Sequence, residues 1–109
     1  MQKSLKPFLS SLHVEMYLLA LLSQKEAYGY MIAKTNDLYI SEAVIYQTLR
    51  KLEKQNYIIS YSQQHNTKLR KVYKITQKGD LRLKELLVAW QKFVLCMDTL
   101  FDEIPNDDA

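Results

Sequence analysis

Ser41, Ala43, Tyr46, Gln47, Arg50, Lys51 and Lys54 are the residues whose types and spacing point to chemistry. All lie in SEAVIYQTLRKLEKQ, residues 41–55. From Ala43 to Lys54 they recur at helical spacing, while Ile45, Leu49 and Leu52 recur on the other side. Ser41 suits the N-cap of such a helix. The polar stripe starts small and hydrogen-bonding and ends basic. A helix entering the DNA major groove needs that order: short or amide side chains reach base edges, and cations further along meet phosphates. A surface helix with a solvated basic face has the same pattern. The segments downstream of residue 55 weigh against that simpler reading.

No other constellation suggests catalysis, a metal or a cofactor. His13, His65 and Cys96 are far apart and lack metal-ligand spacing. The two glycines, Gly29 and Gly79, are isolated and form no phosphate loop. Cys96 sits in an apolar run and reads as a small buried thiol. His13 reads as a core-edge or dimer-facing residue, and His65 as solvated.

The 109 residues suit one domain with one core. The net charge of +3 matters less than its distribution. Between Arg50 and Lys74 there are seven cations and one acid; between Asp98 and Asp108 there are five acids and no cation. A polyanion partner at one surface follows from that asymmetry. No apolar run is long enough for a membrane span, and His13 and Glu15 interrupt any signal-peptide core. The expected compartment is the cytoplasm.

The elements that position the basic stripe are mainly helical. Pro7 suits the first turn of a helix running to Leu22, with Phe8, Leu9, Leu12 and Met16 on one side and an all-apolar second half. Residues 27–36 read as a second short helix, so that 41–55 completes a helix-turn-helix. Asn56 is suited to a left-handed helix stop. Residues 57–64 and 69–76 are rich in β-branched and aromatic types and form a hairpin, with Lys68, Arg70 and Lys71 at and beyond its tip. Thr76 can cap a last helix from Gln77 to about Glu103. On that helix Leu83, Leu86, Trp90, Phe93, Met97, Leu100 and Ile104 repeat at three and four, and Leu87, Val94 and Phe101 widen the stripe. This exceeds what one small core can cover, so a homodimer is expected, with Phe8, Leu12, Leu86, Phe93, Met97, Leu100 and Phe101 at its interface. The fold class is therefore a winged helix-turn-helix, mainly α with a small β-hairpin, over residues 1–76. Residues 77–109 supply a C-terminal dimerisation helix and an acidic tail.

The segments LLALLSQKEAYGYMIAK, VIYQTLRKLEKQNYI and KVYKITQKGDLRLKEL resemble the PadR family of bacterial transcriptional regulators, over about residues 18–90. The single helix after the hairpin is similar to the small subfamily. Asn56 stands where the family usually has glycine, and the tip 66–71 has no glycine. The resemblance implies a homodimeric repressor of transporter, efflux or stress genes that binds an inverted-repeat operator in double-stranded DNA. In some small members a planar aromatic or cationic compound sits between paired tryptophans of the last helix. Trp90 holds that position here, with Phe93, Val94, Met16 and Leu12 as its expected surroundings. A winged-helix module that binds acidic protein surfaces without sequence-specific DNA binding is the second reading. Steep salt dependence and a preference for an inverted repeat separate the two.

Overall fold

The computed structural model of the chain describes residues 8–105. In chain order the elements are α1 (Ser11–Gln24), β1 (Ala27–Tyr28), α2 (Gly29–Lys34), α3 (Glu42–Lys54), β2 (Ile58–His65), β3 (Lys68–Ile75) and α4 (Gln77–Phe101). The strands form an antiparallel sheet in the order β1-β3-β2. This is a winged helix-turn-helix continued by one long helix.

Helix α1 begins at Ser11, and Pro7, expected in its first turn, lies outside the described residues. Ser10 is the N-cap, and its N–H donates to His13 Nδ1 at 2.9 Å. The apolar second half of α1 packs inward, with Leu18, Leu19 and Leu22 buried. The helix expected over residues 27–36 is shorter than its sequence suggests. Ala27 and Tyr28 are extended and pair with Tyr73 and Val72 of β3. The free side of β3 offers backbone partners that a local periodicity cannot reveal. At the strand-to-helix step a Cβ on Gly29 would sit 2.6 Å from a ring carbon of Tyr73.

A buried asparagine holds the turn before α3. Asn36 Nδ2 donates to the carbonyls of Ala33 and Ile40 at 3.3 and 2.8 Å, and its Oδ1 accepts from Ile40 N–H at 2.8 Å. Ser41 then caps α3, its Oγ accepting from Val44 N–H. Ile45, Leu49 and Leu52 are fully buried with Leu18, Leu19 and Ile58. Asn56 takes the left-handed conformation that ends α3 (φ 65°), and Asn66 does the same in the two-residue wing turn (φ 59°). Asparagine visits this region at lower cost than most residues, which is why neither stop needs glycine.

Helix α4 starts where Thr76 Oγ1 accepts from Gly79 N–H at 3.0 Å. Leu86 closes the core, but most later apolar residues of α4 are exposed. Cys96 is among the exposed residues and is not the buried thiol expected from its apolar neighbours. Its apolar surroundings are real, but α4 has by then left the protomer's core. Gly79 lies against the chain that leaves α3: a Cβ there would sit 2.0 Å from Tyr57 O. Backbone carbonyl cannot yield as a side-chain tip can. Gly79→Ala is therefore expected to destabilise the fold by about 3 kcal/mol, read as a lowered midpoint in urea with retained slope.

Candidate nucleic-acid interface

The outward side of α3 and one face of the wing enclose an open cleft of about 700 Å³, lined by Gln47, Arg50, Lys51, Glu53, Lys54 and Lys71. Four of the six are cations: Arg50 and Lys51 are adjacent on α3, Lys54 follows about one helical turn on, and Lys71 is on β3. Glu53 is the acid in this group, and it is engaged: its Oε2 accepts from Ser60 Oγ at 2.6 Å. It thereby ties α3 to β2. Tyr46 is half-buried against the core, whereas Ala43 and Gln47 are exposed. Ser41 lines a separate depression at the start of α3, together with Tyr39 and Glu42.

Two basic residues have intramolecular partners that sequence spacing did not reveal. Lys51 Nζ lies 3.5 Å from Glu15 Oε2 on α1, and the Glu15 side chain is only 11% exposed. The signal was an acid immediately before the all-apolar run 16–22 of α1, which needs a cation nearby if the helix buries it. On the wing, strand alternation separates neighbouring cations. Lys71 shares a face with Tyr73 and turns to α3; Arg70 is on the opposite face, its guanidinium carbon 4.1 Å from the centre of the Tyr30 ring. Lys68 is exposed beside the tip. His65, expected to be solvated, is half-buried: it stacks on Tyr28 at 4.5 Å and hydrogen-bonds to Tyr30 Oη through Nδ1 at 2.9 Å. Burial first, then the nearby Glu53 charge, pushes the Tyr73 phenol above its ordinary range.

The residues grouped for dimerisation and ligand binding divide differently. Phe8, Leu12, Phe93, Leu100 and Phe101 are exposed, Met97 is half-buried, and Leu86 belongs to the protomer's own core. Leu12, Met16, Trp90 and Phe93 line an apolar groove of about 250 Å³ between α1 and α4. Val94 is not part of its lining, while His13 is, set edge-on to Trp90 with ring centres 6.4 Å apart. His13 falls four residues after Leu9 and three before Met16, on the apolar side of α1, and that placement was its signal in the sequence. A second depression, of about 360 Å³, lies on the other side of Trp90 and includes Leu9, Leu83 and Leu87. No helix among the described residues is long and apolar enough to cross a membrane.

Fold and cleft define a winged-helix protein of the regulator type. The profile of the transcriptional regulator PadR-like family matches residues 18–85, and the chain belongs to that family. It is 30% identical over 97 residues to an uncharacterised protein of Lysinibacillus sphaericus, covering 83% of this chain and 89% of that one. Among solved structures, smu.1704 from Streptococcus mutans UA159 is similar across 99% of this chain and 100% of its own, with TM-score 0.81 and 32% identity. A PadR family transcription regulator from Clostridium difficile R20291 matches 82% of this chain and 98% of its own, with TM-score 0.74 and 26% identity. Bacillus subtilis PadR, solved in complex with operator DNA, is similar over 69% of this chain and 46% of its own, with TM-score 0.62 and 26% identity.

The Glu15 contact gives Lys51 a structural role that Arg50 lacks. Lys51→Met leaves a nearly buried carboxylate without its cation and is expected to cost about 1–2 kcal/mol, allowing for the half-exposed lysine. Arg50→Met is expected to stay within about 0.5 kcal/mol. Adding Glu15→Gln to Lys51→Met should recover most of the loss. Urea unfolding of the three variants checks all three values.

Proposed function

We propose that the protein is a sequence-specific repressor that binds double-stranded operator DNA. The basic cleft between α3 and the wing carries this reading. Gln47 is one of its lining residues, an amide that can pair with adenine, and Arg50, Lys51, Lys54 and Lys71 give the same cleft its positive charge. The relative solved with operator DNA supports the same use of the fold. Ser41 and Ala43 at the start of α3, Tyr46 behind Gln47, and Lys68 at the wing tip complete the proposed surface. Residues 8–76 form the DNA-binding part and α4 the dimerisation part. The exposed Leu12, Phe93, Leu100 and Phe101 support a homodimer, because one protomer leaves their apolar surface in water. Transporter, efflux or stress genes are the proposed targets.

The test is selection of bound duplexes from random DNA, followed by titration at several salt concentrations. The expected site is an inverted repeat with half-site centres roughly 34–36 Å apart. Arg50→Gln, Lys54→Gln and Lys71→Gln should each reduce the salt slope by about one unit per protomer. Gln47→Ala should relax base preference by about 1–3 kcal/mol at one position per half-site. Binding without sequence preference, insensitive to these changes, would point instead to a module for acidic protein surfaces.

A planar aromatic effector is proposed for the Trp90 groove. Offset stacking on an indole is worth about 0.5–1.5 kcal/mol beyond area burial, and a cationic ring gains further from the indole face. Trp90 is the chain's one tryptophan, so occupancy should quench its fluorescence. Saturable quenching by a planar dye, coupled to weaker operator binding, is the expected result. A panel of such dyes that leaves emission and operator affinity unchanged sinks the effector proposal.

A further inference from the structure

We infer that Arg70 is a positioning residue, which together with Tyr28, Tyr30 and His65 stiffens the outer half of the wing. This rests on the DNA-binding reading only for its functional consequence. The sheet has three strands only at its base. Strand β1 is two residues long and pairs with Val72 and Tyr73; beyond Val72 the hairpin is a two-stranded ribbon. A two-stranded ribbon is marginally stable alone in water. The aromatic cluster begins where the third strand stops. Tyr28 ends β1, and its ring stacks on His65 at 4.5 Å and 19°. Tyr30, in the first turn of α2, hydrogen-bonds to the same histidine and carries the Arg70 guanidinium on its face at 4.1 Å. His65 ends β2, and Arg70 lies within β3 opposite Gln63. Side chains from β2 and β3 are thus clamped to one short segment, Tyr28–Tyr30, that itself packs on the core through α2.

The choice of arginine follows from this geometry. A planar guanidinium can lie flat on a phenol ring, whereas an ammonium on a flexible stem cannot fill the same place. The cation–π contact also directs Arg70 toward Tyr30, on the face opposite Lys71. Of this adjacent pair, Lys71 is left for a phosphate. The cluster then acts on DNA by holding the ribbon that carries Lys68 and Lys71.

Arg70→Lys separates the two roles, since it keeps the charge and loses the stack. If Arg70 is a positioning residue, operator affinity falls about three- to tenfold and the salt slope stays at the wild-type value. Tyr30→Leu lowers affinity similarly, and the double variant loses little more than either single one. Wild-type affinity in Arg70→Lys, with a reduced slope in Arg70→Gln, would make Arg70 a phosphate ligand and overturn the inference. Amide hydrogen exchange on the DNA-free protein decides independently of DNA. Amides of 62–71 should exchange faster in Arg70→Lys, with Ile58 and Ile75 unchanged. Unchanged exchange across 62–71 overturns the inference even if wild-type protein binds its operator. Absence of operator binding by the wild type would remove the DNA reading while leaving the exchange result valid. Should Tyr30→Leu fail to fold, the Arg70→Lys comparison alone is decisive.

Discussion

Burial of one side of α3 dictates where every other feature of this protein sits. Ile45, Leu49 and Leu52 are wholly removed from water, in contact with a core that includes Leu18, Leu19 and Ile58. Each such side chain contributes about 1.5–3 kcal/mol on burial. Because consecutive residues are separated by about 100° around a helix, turning α3 by even one position would bring a cation inward and an isoleucine outward. The direction of Gln47, Arg50 and Lys54 is therefore a consequence of the core, not a separate choice. Thr48, also buried on this helix, donates to Val44 O at 2.8 Å and so brings no unpaired hydroxyl with it.

Both ends of α3 are held by polar contacts, which leaves the helix little freedom to slide. At its start, Asn36 braces the turn and Ser41 caps the first free N–H groups. At its end, Tyr57 N–H returns to Leu52 O at 3.0 Å, and the left-handed Asn56 makes that reversal. Tyr57 O then accepts from Thr76 N–H, and Gly79 lies against it. The exit of α3 and the entry of α4 are consequently one joint. A change in the direction of α4 cannot occur there without pressing on the backbone that ends α3.

The parts of this arrangement legible in the sequence are those set by neighbours a few residues apart. The stripe of α3, the caps Ser41 and Thr76, the stop at Asn56, the hairpin and the long last helix all follow from local spacing or local hydrogen bonding. The parts not legible depend on distant partners. Strand β1 forms because β3 presents a free side to Ala27 and Tyr28, about 45 residues away in the chain. His65 is half-buried because Tyr28 and Tyr30 come to meet it. Lys68, Arg70 and Lys71 form one cluster when counted along the chain, yet the two-residue period of a strand sends Arg70 and Lys71 to opposite faces. Cys96 misleads for a related reason: apolar neighbours imply burial only while a helix still lies over a core.

Helix α1 stands between the Trp90 groove and the basic cleft. One side presents His13 and Met16 to Trp90, and another presents Glu15 to Lys51 in the basic cleft. These residues lie within a single helical turn, so a displacement of α1 at the groove would also move Glu15 relative to Lys51. Direction follows from energetics. A ligand in the groove biases the cleft only by the difference in its affinity for two positions of α1; equal affinity changes nothing. For an effector to act in this way, the groove would have to tighten or widen around it. Its α4 wall can do so, since Trp90 and Phe93 are exposed on their outer sides and lie beyond Leu86, the last residue that α4 buries in the core. The α3 wall of the cleft cannot, because its inward stripe is fully packed. The inner half of α1 is packed in the same core through Val14, Leu18 and Leu19, so an adjustment to a bound ring would fall on the outer part of α4.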